Sequence, residues 1–131
     1  MTPLAVVAGI VRGENGILIA RRKSGGAQAL KWEFPGGKIE PGESPQAALA
    51  RELKEELDIS VSIGRIYDAV LWYYPEKTVL ILFYDATILS GTPASLDNGG
   101  FEWVQPSQIT QYDFADADKA VAKSLGKDAA V

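Results

Sequence analysis

Short hydrophobic runs separated by polar turns follow one another along most of the chain. Runs of this length, rich in Val, Ile, Leu and aromatic residues, are typical of buried β-strands. The segments between them contain Gly, Asn, Pro or Asp, which favour turns and end strands. The pattern predicts strands at residues 4–11, 17–20, 61–74, 78–89 and 101–104.

One segment between the strands has instead the composition of an amphipathic helix. Ser44 is a favourable N-cap and Pro45 suits the first helical position. Residues 46–57 are rich in Ala, Leu, Glu, Lys and Arg, which are strong helix formers. With 3.6 residues per turn, Leu49, Leu53 and Leu57 share one apolar face.

A second helix is predicted near the end of the chain, from about residue 115 to residue 125, after a helical turn at 107–110. Strands combined with one internal and one terminal helix indicate an α+β domain with a mixed sheet between helices. The length of 131 residues favours one domain over residues 1–131.

The composition narrows the chemistry that this chain can perform. It contains no Cys and no His, which excludes disulfides, thiol nucleophiles and histidine-based catalysis. The net charge of −4 argues against a stable nucleic-acid partner. The N-terminus lacks the features of a signal peptide and no apolar run has the length of a membrane span, so a cytoplasmic protein without a membrane partner is expected. The sequence leaves monomer and dimer equally open.

Three carboxylates lie side by side on one flank of the internal helix. On a helical wheel Glu52, Glu55 and Glu56 share this flank, although like charges on neighbouring turns repel. A hard divalent cation such as Mg²⁺ takes carboxylate oxygens and removes that penalty. The alternative is a solvated helix face on which Arg51 pairs with Glu55.

Order and spacing favour the functional interpretation. After Gly37, five residues lead to Glu43 and seven more lead to Arg51-Glu52, and an aliphatic residue, one residue and Glu55-Glu56 follow. This spacing resembles the signature of the Nudix hydrolases, with one departure, because Asp58 stands where the family has Gly. The segment from Trp32 to Glu40 resembles the corresponding segment of the MutT-like branch.

The resemblance implies the Nudix fold and a hydrolase that needs Mg²⁺ or Mn²⁺. Members of the MutT-like branch release a nucleoside monophosphate and pyrophosphate from nucleoside triphosphates. The expected substrates are oxidised or non-standard nucleotides such as 8-oxo-dGTP, or cytidine nucleotides, and the expected role is sanitation of the nucleotide pool in support of DNA repair. Two alternatives remain open: a Nudix hydrolase of another phosphoanhydride, such as a nucleotide sugar or an RNA 5′-triphosphate end, and a catalytically silent nucleotide-binding module.

The resemblance also implies roles for individual residues. Arg51 would orient the glutamates by ion pairing, with Glu43 in support, and either Glu52 or Glu102 would be the general base. Glu102 has a surface-acid alternative on an edge strand. The metal ligands implied are the carbonyl of Gly36 and the side chains of Glu52, Glu55, Glu56 and Glu102.

The substrate contacts implied lie before the helix and near the end of the chain. Arg22 and Lys38 are candidates for binding phosphate, and for each a solvated surface position is the alternative. Asp118 has two interpretations, since it either faces the base or is an acid favoured by the helix dipole. The substrate-binding residues implied are Arg22, Glu33, Phe34, Gly37, Lys38, Lys77 and Asp118.

Overall fold

The computed structural model describes residues 2–129 and contains a mixed sheet of seven strands within that range. The strand order is β3-β2-β1-β6-β5, β4 pairs with β1, and β7 pairs with β2. Only the pairing of β1 with β6 is parallel among the pairs described. The elements are β1 (Leu4–Gly13), β2 (Gly16–Arg21), β3 (Trp32–Glu33), β4 (Gly36–Lys38), α1 (Pro45–Leu57), β5 (Ser60–Tyr73), β6 (Thr78–Ser90), β7 (Phe101–Val104), α2 (Lys119–Ala129) and 3₁₀ turns at Pro106–Gln111 and Asp116–Asp118.

The two helices cover opposite faces of the sheet, because side chains alternate along each strand. In β1, Val7 and Val11 pack with the leucines of α1, whereas Ala8 and Ile10 pack with the apolar side of α2. The predicted sheet between helices is confirmed. No helix within residues 2–129 is long and apolar enough to cross a membrane.

Both ends of α1 are capped by neighbouring residues. The Ser44 hydroxyl accepts a hydrogen bond from the peptide N–H of Ala47 at 3.1 Å, which confirms the predicted N-cap. Asp58 adopts a left-handed conformation with φ of 57°, and its N–H donates to the carbonyl of Lys54 at 3.1 Å. This is the conformation for which a glycine is usual after a helix.

The structure contains two short strands that the sequence pattern did not predict, and its terminal helix begins later than predicted. The segment from residue 32 to 39 forms two short strands that pair with different partners, β3 with β2 and β4 with β1. The terminal helix begins at Lys119, later than predicted, because residues 116–118 form a 3₁₀ turn in which Asp118 hydrogen-bonds to another segment.

Candidate active site

Arg51 in α1 is the centre of an ion-pair network that joins the carboxylates on both sides of it in the sequence. Its Nε and Nη2 donate to the two carboxylate oxygens of Glu43 at 2.7 and 2.9 Å. Its Nη1 donates to Glu52 at 2.9 Å and to Glu55 at 3.3 Å, and Nη2 also donates to the carbonyl of Lys38 at 3.1 Å. The bidentate contact resists rotation of the guanidinium, so Arg51 orients the carboxylates around it.

The protonation of these groups follows from their contacts. The hydrogen bond from Arg51, supported by the peptide N–H of Glu40, lowers the pKa of Glu43 to about 2. The same pairing, above all with Glu43, raises the pKa of Arg51. The pair formed by Glu43 and Arg51 therefore stays ionised at every physiological pH.

Glu52 lies directly against the backbone of β4. A Cβ atom added to Gly37 would lie 2.4 to 2.6 Å from the carboxylate atoms of Glu52. A Cβ atom on Gly36 would lie 1.9 Å from the carbonyl oxygen of Val7 in β1. The two glycines therefore permit two close approaches, of β4 to β1 and of the Glu52 carboxylate to β4.

Glu56 is half-buried, and its Oε2 atom is fully buried without a hydrogen-bond partner among residues 2–129. Burial, assisted by the negative charges of Glu33, Glu52 and Asp97, raises the pKa of Glu56 to about 9. A buried acceptor that lacks a donor is costly. A cation at this position would remove that cost.

Glu102 is not brought to this cluster. It lies opposite Ile19 in the pairing of β7 with β2 and therefore on the α2 face, where its carboxylate contacts the hydroxyl of Tyr112. Phe101 and Trp103, its neighbours in β7, face α1 instead. The register of β7 thus turns the Glu102 side chain to the face opposite α1, and its role as a metal ligand or general base stays a prediction.

Asp97, which the sequence analysis did not single out, lies near Glu56 in the structure. It lies in the loop before β7, lines the same cleft as Glu56 and adds negative charge around the Glu56 carboxylate. Sequence reasoning missed Asp97 because an acid in a turn-rich loop carries no periodic signal. Asp97 precedes Glu102 by five residues, and only the register of β7 shows that Asp97, rather than Glu102, lies on the side of Glu56.

The donor set around α1 fits a hard divalent cation. Carboxylate oxygens are the preferred ligands of Mg²⁺ and Mn²⁺, and Glu56 offers one that is buried and unpaired. Within residues 2–129 no group of three acidic side chains is arranged to hold an ion as it stands, since Glu52 and Glu55 contact Arg51.

A cleft of about 230 Å³, here called the inner cleft, opens on the α2 side next to β4. It lies between β1, the tip of the β5–β6 hairpin and the start of the terminal helical segment. Its walls are mainly apolar with a few polar side chains, which is typical of a small-molecule site. Every predicted substrate-binding residue lines it: Arg22, Glu33, Phe34, Gly37, Lys38, Lys77 and Asp118.

Asp118 is the buried carboxyl group of the inner cleft. Its side chain is 5% exposed, and Oδ2 accepts a hydrogen bond from the peptide N–H of Phe34 at 2.9 Å. Burial raises the pKa of Asp118 to about 8, assisted by the charge of Glu33 and opposed by the Phe34 N–H and Arg22. Asp118 thus holds the segment that follows β3 rather than its own helix, and at neutral pH its carboxyl group is largely protonated.

Other predicted substrate contacts have more than one structural role. The ring of Phe34 is only 2% exposed, because it stacks on Phe114 at 5.2 Å and meets the edge of Phe83 at 5.9 Å. Glu33 forms an ion pair with Arg22 at 2.8 Å, and burial raises the pKa of Glu33. The inner cleft also contains Tyr74, which the sequence analysis did not identify and whose hydroxyl oxygen accepts from the N–H of Ala117 at 3.0 Å.

A second cleft of about 270 Å³, here called the outer cleft, lies beside Glu56. It shares Arg22, Ala27 and Glu33 with the inner cleft, so the two spaces adjoin. Three consecutive cations line it opposite three carboxylates. These six residues are Arg21, Arg22, Lys23, Glu33, Glu56 and Asp97.

Comparison with known proteins assigns this architecture to a family. The family model described as NUDIX domain matches residues 1–125. The chain is 33% identical over 126 residues to the 8-oxo-dGTP diphosphatase of Escherichia coli K12, covering 95% of this chain and 98% of that protein. It is 34% identical over 118 residues to the CTP pyrophosphohydrolase of the same organism, covering 90% and 87%.

A solved structure shows the same fold. The crystal structure of a MutT protein from Methanosarcina mazei Go1 superposes with a TM-score of 0.84 at 26% identity, covering 98% of this chain and 96% of that one. The predicted α+β architecture and the predicted family resemblance are both confirmed. With the glutamate-bearing helix, the adjoining clefts and these matches together, the chain belongs to the Nudix hydrolase family.

Proposed function

We propose that this protein hydrolyses nucleoside 5′-triphosphates to nucleoside monophosphates and pyrophosphate. The observation that carries the proposal is the buried Glu56 carboxylate, unpaired at Oε2, beside a cation-lined cleft that adjoins a cleft of nucleobase size. Relatives named 8-oxo-dGTP diphosphatase and CTP pyrophosphohydrolase support this substrate class. Oxidised guanine or cytosine nucleotides are therefore the proposed substrates, and pool sanitation the proposed role.

Mg²⁺ or Mn²⁺ is the proposed cofactor. Glu52, Glu55 and Glu56 would hold it, with the Gly36 carbonyl as a further candidate and Asp97 in the place first assigned to Glu102. When bound, the cation supplies charge neutralisation on phosphate oxygens and a more acidic bound water. Arg51 and Glu43 are positioning residues in this proposal, since they touch the carboxylates rather than the substrate.

Glu52 is the proposed general base. In the reaction a water oxygen forms a bond to phosphorus, the anhydride P–O bond breaks, and the water proton passes to a carboxylate. Glu52 is held by Arg51 against Gly37 at the junction of α1 and β4, close to Glu56. Glu102, the other candidate from sequence, lies on the opposite face of the sheet.

The two clefts suggest how the substrate lies. The nucleobase would occupy the inner cleft, where Asp118 and Glu33 offer hydrogen-bonding groups and Lys77 borders the ring. The phosphates would pass Arg22 and Lys38 toward the outer cleft and Glu56. This direction places the anhydride to be cleaved beside the glutamates of α1.

A nucleotide panel incubated with and without Mg²⁺ tests the proposal. Separation of the products should show nucleoside monophosphate and pyrophosphate in equal amounts, only with the cation. Nucleoside diphosphate and orthophosphate as products would contradict it. Including a nucleotide sugar and a 5′-triphosphorylated RNA tests cleavage of another phosphoanhydride, and binding without any turnover would indicate a silent module.

Matched variants of Asp97 and Glu102 test which of the two acids binds the metal ion. Asp97→Asn should raise the Mg²⁺ concentration needed for half-maximal rate, because an amide is a weaker ligand. Glu102→Gln should leave this concentration unchanged, because Glu102 lies on the other face. The reverse result would restore the original assignment of Glu102.

A further inference from the structure

The three cationic side chains of the outer cleft differ in how many groups of the protein they contact. Arg21 donates from Nε to the carbonyl of Leu30 at 2.9 Å, and its guanidinium lies over the ring of Trp32. Arg22 donates to the carbonyl of Ala27 at 3.2 Å and to Glu33 at 2.8 Å. Both arginines are therefore held in place by neighbouring groups.

Lys23 has a different environment. Within residues 2–129 its ammonium group pairs with Asp97 alone, and both side chains are more than 60% exposed, at 62% and 64%. An exposed ion pair contributes about 0 to 1 kcal/mol, because water competes for both charges. The ammonium group on its flexible stem can therefore exchange Asp97 for a stronger anion at little cost.

The backbone around Lys23 is anchored although its side chain is exposed. The N–H of Arg21 donates to the carbonyl of Gly100 at 2.8 Å, and the N–H of Gly99 donates to the carbonyl of Arg21 at 2.7 Å. A Cβ atom on Gly99 would lie 2.9 Å from the carbonyl oxygen of Arg22. These contacts hold the start of the 22–31 loop against the 91–100 loop, so Lys23 stays at the mouth of the outer cleft beside Glu56.

We propose that Lys23 is a specificity-determining residue that releases Asp97 and binds the terminal phosphate of a nucleoside triphosphate. The inference rests on the proposed function, in which the base occupies the inner cleft and the phosphates extend toward Glu56. A triphosphate reaches further into the outer cleft than a diphosphate by one phosphate group. Lys23 thus favours triphosphates over diphosphates, while Arg22, nearer the inner cleft, contacts both.

Binding of nucleotides that cannot be cleaved tests this inference without relying on turnover. Calorimetry with Mg²⁺ would compare dCTP and dCDP analogues that carry a methylene group between the α and β phosphorus atoms. Lys23→Met should weaken binding of the triphosphate analogue about tenfold, roughly 1.4 kcal/mol, and change binding of the diphosphate analogue less than about twofold. Lys23→Arg should retain most of the preference, since it keeps the charge.

Lys54→Met is the matched control. Lys54 is 60% exposed and pairs with Asp58 across one helical turn, but it does not line either cleft. The Lys54→Met variant should bind both analogues with the same affinity as the unmodified protein. Equal losses for both analogues in Lys23→Met, or no loss for either, would overturn the assignment of Lys23. Normal analogue binding without hydrolysis of any nucleotide would instead contradict the proposed function and leave the Lys23 result valid.

Discussion

Arg51 and Asp118 lie in elements on opposite faces of the sheet, and the carboxylates around them are neutralised in opposite ways. On the α1 face, the guanidinium of Arg51 donates to the carboxylates of Glu43, Glu52 and Glu55 and balances their charge, and it lowers the pKa of Glu43 to about 2. On the α2 face, burial raises the pKa of Asp118 to about 8, so a proton neutralises it.

Glu56 resembles Asp118 more than its neighbours in α1. It makes no hydrogen bond to Arg51 among the contacts described, its Oε2 atom is buried, and its pKa is raised to about 9. The comparison shows that position relative to Arg51, rather than membership of the helix, decides how each carboxylate is neutralised. Glu56 is the carboxylate of α1 for which an added cation removes the largest electrostatic cost.

The largest expected effect follows from Glu56→Gln. The turnover number should fall by on the order of a hundredfold or more, because an amide is a poor ligand for Mg²⁺. Without added metal the variant should unfold at a higher temperature, since a buried acid is replaced by a neutral group. Steady-state kinetics and thermal unfolding measure both. Glu14→Gln, at an exposed glutamate in the turn between β1 and β2, is the control, and near-normal turnover of Glu56→Gln at saturating Mg²⁺ would contradict the assignment.

Gly37→Ala should reduce activity while the protein still folds. The added methyl group would displace the flexible end of Glu52, and misplacement of a reacting group by about 1 Å can cost up to about a hundredfold in rate. In a Glu52→Gln background the same change should cost much less, which a double-mutant cycle of kcat measures. Full additivity would show that Gly37 acts independently of Glu52.

Asp118→Asn should alter base selectivity in a pH-dependent manner. A protonated carboxyl donates and accepts as an amide does, whereas an ionised carboxylate only accepts. The ratio of kcat/KM for dCTP and 8-oxo-dGTP should therefore change as pH rises through about 8 in the unmodified protein and stay flat in the variant. Above this pH the variant should favour 8-oxo-dGTP by up to about tenfold relative to the unmodified protein. Identical profiles would place selectivity elsewhere.

Asp118 should also make stability depend on pH. Its pKa is raised from 3.8 to about 8 on folding, so the folded protein binds the proton more tightly than the unfolded chain. The contribution to stability is complete below pH 3.8 and is lost as pH rises toward 8. Urea unfolding at several pH values should show a smaller decline for Asp118→Asn. Parallel declines would exclude a raised pKa for this group.

The smallest effect is expected for Asp58→Gly. The left-handed conformation at φ of 57° favours Gly, but the change also removes an exposed ion pair with Lys54 at 3.1 Å. These two effects oppose each other, so the free energy of unfolding should rise slightly or change by less than about 1 kcal/mol. Chemical denaturation measures it. A larger loss would show that Asp58 has a specific stabilising partner beyond Lys54.

The sequence by itself determined the features that depend on neighbouring residues. The cap at Ser44, the apolar stripe of α1 and the common flank of Glu52, Glu55 and Glu56 all follow from helical periodicity, so they could be predicted without a fold. The spacing from Gly37 to Glu56 likewise identified the family, because all of these residues lie in β4, in α1 or in the short segment that connects them. Local physical chemistry is sufficient for such features.

Tertiary structure alone decided which distant residues meet. The register of β7 against β2 turned Glu102 away and left Asp97 beside Glu56, and one residue of register reverses the face of every side chain. The contact of Asp118 with Phe34 joins residues 84 positions apart, and its burial raises a pKa that no sequence pattern encodes. Such properties depend on desolvation and long-range pairing, which exist only in the folded chain.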